Sequence, residues 1–206
     1  MECAYAGVLF DVDGVLLDSI ETYRRAWGKW AGEHHVGEDA IWAVAHGRRP
    51  VDIIRLSAPG VDQRAGLRRF EALIAVEYGR VPAMPGARDL LERLSVAWAV
   101  VTSGSRALVD QAFRRLDLPA PDAGVYDSDV TLGKPDPACY RLAAQRLDLD
   151  PRACVVVEDA PSGVAAGKAA GMTVIAVTTT HACWQLKDAD RVVSALPEVA
   201  DALSSG

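Results

Sequence analysis

Four short apolar runs constrain this chain more than any other feature of it. Residues 6–10, 96–101, 153–157 and Thr173–Val177 lack the polar–apolar alternation of a half-solvated strand. Runs of this kind read as strands buried on both faces, as in a parallel sheet covered by helices. Helical patterns lie between them. Residues 106–116 place Leu108, Val109, Ala112, Phe113 and Leu116 on one face. Residues 137–147 open on a proline, which a first helical turn tolerates, and the Ala-rich stretch 162–170 follows Pro161. This strand–helix order predicts an α/β fold, an open, doubly wound parallel sheet of the Rossmann type.

Residues 17–82 break the rhythm. They contain no convincing strand, but helical patterns at 20–30, 39–45, 51–56 and 64–78. In the last of these, Leu67, Phe70, Ile74 and Tyr78 recur at helical spacing. Pro82 and Pro85-Gly86 mark the exit, and a helix at 87–94 resumes the α/β part. The expected organisation is therefore an α/β core at 1–16 and 83–206 with a helical insertion at 17–82. Ligands of open α/β sheets bind beyond the carboxyl ends of the strands, so an insertion leaving after the first strand would cover that place as a lid. Trp27, Trp30 and Trp42 are read as the core of this insertion rather than a stacking platform.

Half of the 206 residues are hydrophobic, and the formal net charge is −6. Basic residues cluster only in pairs such as Arg24-Arg25, Arg48-Arg49 and Arg68-Arg69, which argues against a nucleic-acid partner. Cys3, Cys139, Cys154 and Cys183 form no CxxC and no zinc spacing, so reduced thiols are expected. No signal peptide is read at the N-terminus, and no apolar run approaches the roughly 20 residues that span a bilayer. A cytoplasmic setting, no membrane contact and a monomer are expected.

Chemistry concentrates where the apolar runs end. Phe10 is followed by Asp11-Val12-Asp13-Gly14. Two carboxylates two residues apart can divide nucleophilic attack from proton transfer, and Gly14 permits a sharp turn. The second run ends in Thr102-Ser103-Gly104-Ser105, where backbone N–H groups and hydroxyls could hold a phosphate, or Ser103 or Ser105 could simply cap a helix. Gly133-Lys134-Pro135-Asp136-Pro137 holds a lysine in a Pro-rich turn, a positioned cation for a phosphoryl-transfer transition state. A further run ends in Glu158-Asp159-Ala160-Pro161, carboxylates suited to magnesium or, for Asp159, to capping the next helix.

These four stretches, in this order, resemble the four motifs of the haloacid dehalogenase-like hydrolase superfamily, and the resemblance covers nearly the whole chain. The position of the insertion resembles members with a helical cap after the first motif. The resemblance implies Asp11 as nucleophile and Asp13 as general acid and then base. It implies Ser103 and the Gly104 backbone as phosphoryl binders, and Lys134 as the neutralising cation. Magnesium would be held by Asp11, the Asp13 carbonyl and Asp159, with Glu158 assisting directly or through water.

Asp13 sets the chain apart from the name-giving dehalogenases, which lack this second acid, and points to phosphate esters. Tyr23 stands where the resembling mutases carry a histidine, which favours release of phosphate over transfer. The segment Ala45-His46-Gly47-Arg48-Arg49 is similar to that of glycerol-phosphate and sugar-phosphate phosphatases, as are Glu77-Tyr78-Gly79, Met84-Pro85-Gly86 and residues 158–171. His46 and Arg49 could then reach substrate from the cap, or be a packed histidine and a surface charge. The expected function is a magnesium-dependent phosphatase acting on small phosphorylated metabolites. The alternatives are a β-phosphoglucomutase-like phosphomutase and a catalytically silent phosphoacceptor module.

Overall fold

The computed structural model describes residues 3–204. Six strands, β1 (Gly7–Phe10), β2 (Ala97–Val101), β3 (Ala123–Val125), β4 (Cys154–Glu158), β5 (Thr173–Val177) and β6 (Arg191–Val193), form one sheet in the order β3-β2-β1-β4-β5-β6. Every pair is parallel. β1 is central, and the order of strands reverses on either side of it, so the ligand crevice of such a sheet falls at its carboxyl end.

Alternate residues of each strand feed two cores. Val8, Phe10, Val155, Val157, Ile175 and Val177 face one cluster, and Leu9, Val101, Val156, Val174 and Ala176 the other. Helices α5 (Ala87–Arg93), α6 (Arg106–Leu116) and α9 (Leu196–Ser204) cover the first face, while α7 (Ala138–Arg146) and α8 (Pro161–Ala169) cover the second. The small residues of α8 are there for approach. A Cβ on Gly167 would meet Val174 Cγ2 at 2.8 Å, so only glycine lets the helix lie this close to the sheet.

Between β1 and α5 the chain forms four helices, α1 (Ile20–His34), α2 (Glu38–Ala45), α3 (Pro50–Ser57) and α4 (Gln63–Tyr78). Asp62 caps α4, accepting from the Ala65 N–H at 2.7 Å. Buried Phe70, Ile74 and Tyr78 of α4 pack toward α1, and Trp27 stacks on Phe70 with ring centroids 3.8 Å apart. The two connections of this unit run side by side: Asp18 N–H donates to Pro82 O at 3.0 Å and Met84 N–H to Leu16 O at 2.9 Å.

Glu77 ties α4 to α1, accepting from Arg25 Nε at 2.7 Å and Lys29 Nζ at 2.8 Å. Those two donors hold its carboxyl at about 2, below the ordinary 4.5. A depressed carboxylate contributes stability above its unfolded value and loses it as pH falls through the folded one. Glu77→Gln is therefore expected to remove a contribution below about 1 kcal/mol at neutral pH, both cations being half exposed. Urea midpoints of the two proteins should converge between pH 4.5 and 2; a constant gap across that window would show that Glu77 acts by packing instead.

Candidate active site

Asp11 leaves the end of β1 with its N–H still donating to Val157 O of the neighbouring strand at 2.9 Å, and β4 ends on Glu158 with Asp159 next. Lys134 enters from the loop before α7. Its Nζ donates to Asp11 Oδ1 at 2.5 Å, to Glu158 Oε1 at 2.6 Å and to Val101 O at 3.3 Å. The lysine side chain is only 2% exposed. Groups from positions 11, 134 and 158 thus form one buried ion cluster.

Glu158 is a hub. Oε1 accepts from Lys134 and from Tyr140 Oη at 2.8 Å, and Oε2 from the N–H groups of Asp159 at 2.9 Å and Ala160 at 3.1 Å. Four donors occupy all the lone-pair positions a carboxylate has. Gly163 of α8 makes the room, because a Cβ there would lie inside the Glu158 carboxylate. Asp159 differs: its Oδ2 accepts from Thr180 Oγ1 at 2.5 Å. Its side chain caps no helix, the residue before α8 being Ala160.

Asp11, Glu158 and Asp159 each bring a carboxylate oxygen within 4.8 Å of the others, and all three are buried. Three carboxylates facing one ammonium leave negative charge that burial penalises. Burial pushes Asp11 up to about 8 while Lys134 pulls it down, and burial with the charges of Glu158 and Asp11 pushes Asp159 well above the usual range. An all-oxygen donor set with excess negative charge fits a hard divalent cation. Asp11 and Asp159 keep lone pairs for it, whereas those of Glu158 are occupied.

Asp13 sits on the cleft side of this cluster. Oδ1 accepts from Tyr78 Oη at 2.9 Å, and Oδ2 from Tyr23 Oη and Thr102 Oγ1, each at 3.3 Å. Burial pushes its carboxyl up, and hydrogen bonds from Ser19, Tyr78, Tyr23 and Thr102 pull it down in part. Gly14 follows with φ +88°, where a side chain would be strained and would meet the Asp159 carboxylate.

A cleft opens above these groups, lined by Asp11, Asp13, Thr102, Ser103 and Asp159 below and by Tyr23, Trp42, His46 and Arg48 above. Trp27 and Trp30 are buried as expected of core, but Trp42 is half-buried and lines the cleft. The reason is local: α2 turns Ile41 and Ala45 inward, which leaves Trp42 at the edge of that face.

The loop after α2 is docked on the core. Ser103 Oγ donates to Gly47 O at 2.9 Å, and Ser162 Oγ to His46 O at 3.0 Å. The His46 ring lies edge-on to His181 at 4.6 Å, and burial lowers both imidazoles, so both are neutral at pH 7 and pack without repulsion. His46 thus lines the cleft. Arg49 points elsewhere: Nε donates to Asp52 at 2.8 Å and Nη1 to Val130 O at 3.0 Å, over Gly133, fastening the cap to the loop that carries Lys134. The Gly104 N–H donates to Thr102 Oγ1 at 2.9 Å, and the Ser105 side chain makes no capping bond.

Sequence reasoning missed Thr180, His181, Tyr78 and Tyr140 as site residues. The first two had a signal, since Thr178-Thr179-Thr180-His181 follows an apolar run as the other motifs do. Tyr78 was read only as part of a helix face and of the Glu77-Tyr78-Gly79 resemblance. Tyr140 had no signal, being one apolar-face position among several in α7.

A strand-end aspartate, a buried lysine and paired carboxylates beneath a four-helix insertion are the arrangement of one kind of hydrolase. The family model for haloacid dehalogenase-like hydrolase matches residues 5–171, and the chain belongs to that family. It is 40% identical to hexitol phosphatase A of Escherichia coli (strain K12), over 94% of this chain and 92% of that one. It is 36% identical to glycerol-1-phosphate phosphohydrolase 2 of Saccharomyces cerevisiae, over 87% of this chain and 77% of the relative. Among solved structures, a putative β-phosphoglucomutase from Bacteroides vulgatus superposes with a TM-score of 0.80 at 28% identity, covering 97% of this chain and 88% of that one.

Proposed function

We propose that this protein is a magnesium-dependent phosphatase that hydrolyses phosphate monoesters of small polyols or sugars through an aspartyl-phosphate on Asp11. The observation that carries the reading is the contact of Lys134 with both Asp11 and Glu158, directly beneath a capped cleft that also presents Asp13. Asp11 Oδ attacks phosphorus in line with the departing alcohol. As the phosphorus–oxygen bond to the alcohol breaks, Asp13 passes its proton to the leaving oxygen. Asp13, now ionised, takes a proton from water, whose oxygen attacks phosphorus. The phosphorus–oxygen bond to Asp11 breaks, and both carboxyls return to their starting states with phosphate released.

Lys134 offsets the charge that spreads over the phosphoryl oxygens. Asp11 and Asp159, with the Asp13 carbonyl, would hold magnesium, while Glu158 positions Lys134 and the turn at Asp159. Bound there, the ion supplies charge neutralisation and orientation of the phosphoryl group. Ser103 and the Gly104 backbone are the proposed phosphoryl contacts. His46 is a proposed polyol contact from the cap at 17–82; Arg49, assigned to substrate from sequence, is better placed to seat that cap. A monomer in the cytoplasm, acting on a free metabolite, completes the proposal.

The names of the two relatives support polyol and glycerol phosphates as substrates. The test is phosphate release from a panel of glycerol, hexitol and hexose phosphates, with Mg²⁺ and then with excess EDTA. Release should require the metal, and Mg²⁺ should raise the melting temperature by mass action on the folded state. No release from any member of the panel would sink the reading. Conversion of a hexose 1-phosphate to its isomer without free phosphate would replace it with the mutase.

A further inference from the structure

Tyr78 is the last residue of α4 and 3% exposed. A buried phenol needs a partner for its hydroxyl, and Tyr78 has found the Asp13 carboxylate at 2.9 Å, across 65 positions of sequence. This bond is shorter than the 3.3 Å contacts from Tyr23 and Thr102 to the other oxygen. The Tyr78 ring is fixed by edge-on packing against Tyr23, with centroids 6.2 Å apart, and Tyr23 in turn stacks on Phe70 at 6.4 Å. Next in sequence, Glu77 clamps α4 to α1 through Arg25 and Lys29. The two neighbours divide the work: one locks the helices together, and the other reaches down from them to the acid.

We infer that Tyr78, assisted by Tyr23, is a positioning residue that lets the cap orient Asp13 for proton transfer to the leaving alcohol. The inference rests on the phosphatase reading above. Tyr78 holds Oδ1 while Tyr23 and Thr102 hold Oδ2, so the plane of the carboxyl is fixed from both oxygens. Seating the cap then sets which way the acid faces. Tyr78 touches neither substrate nor reacting atoms; it acts through Asp13.

Two esters separate this role from a structural one. An alkyl phosphate such as glycerol phosphate expels an alcohol that needs a proton, whereas p-nitrophenyl phosphate expels an anion that leaves without one. kcat/KM covers events up to that departure and leaves out the later hydrolysis of the aspartyl-phosphate, so the comparison of the two esters reads the acid step. Tyr78→Phe should lose about 10- to 100-fold in kcat/KM on glycerol phosphate, the scale of a misaligned catalytic group. On p-nitrophenyl phosphate it should lose less than about 3-fold, because the acid step contributes little there. Tyr23→Phe should give the same split at smaller size, and Asp13→Asn the same split at larger size. Tyr23→Phe carries the test if Tyr78→Phe does not fold. Equal losses on both esters, or none on either, overturn the inference when Asp13→Asn itself shows the split. A wild type inactive on both esters overturns the phosphatase reading instead.

Discussion

Asp11→Asn should abolish phosphate release, by on the order of 10⁴-fold or more, while leaving the protein folded. An amide is too weak a nucleophile toward phosphorus to form the proposed aspartyl-phosphate, and nothing else within the cluster is placed to replace it. Glu158 is saturated by four donors, and Asp159 is engaged by Thr180. Stability should move the other way. Asp11 is one of three buried carboxylates sharing a single ammonium, and burial already pushes it to about 8. An amide avoids the cost that folding carries when this carboxyl must be buried charged or take up a proton, and Lys134 keeps Glu158 at 2.6 Å. The metal-free variant is therefore expected to melt at or above the wild-type temperature. Activity near the wild-type level would overturn the nucleophile assignment, and a lower melting temperature would overturn the charge argument.

Lys134→Met should damage both activity and stability. The substitution keeps the length of the side chain but strips two buried carboxylates of their cation at once. Breaking a buried pair from one side costs about 3–5 kcal/mol, because the remaining charge stays buried and uncompensated. Here the chain has an escape, which is to protonate Asp11. Lys134 is what pulls that group down against burial, so without it Asp11 moves further above about 8. The proposed nucleophile is then still harder to ionise at neutral pH. Urea denaturation should register the lost stability, and phosphate release should fall by about 10³-fold, as for loss of a group that stabilises transition-state charge. A wild-type urea midpoint would mean that the cluster is held by Tyr140 and the backbone donors rather than by the ion pair.

The sheet was legible in part, and the division has a physical cause. β1, β2, β4 and β5 are buried on both faces and so are written as apolar runs. β3 and β6 are three residues each and lie at the edges, where Ala-Gly-Val and Arg-Val-Val carry no pattern. The cap helices were legible because their buried positions recur every three or four residues. Trp42, read as core, packs against it and also lines the cleft, because periodicity gives a face without saying where that face ends.

The sequence by itself placed Asp11, Asp13, Glu158 and Asp159 just past the ends of two strands. A parallel sheet must place all its carboxyl ends along one edge. It also marked the helices between β1 and α5, through a change of hydrophobic period from strand to helix. What only the tertiary structure decided is who touches whom across that edge. Tyr78 reaching Asp13, Thr180 reaching Asp159, Tyr140 filling the last site on Glu158 and Arg49 turning away from the cleft are contacts between side chains far apart in the chain. They depend on the angle at which helices pack on the sheet and on each other, which local residue patterns do not encode.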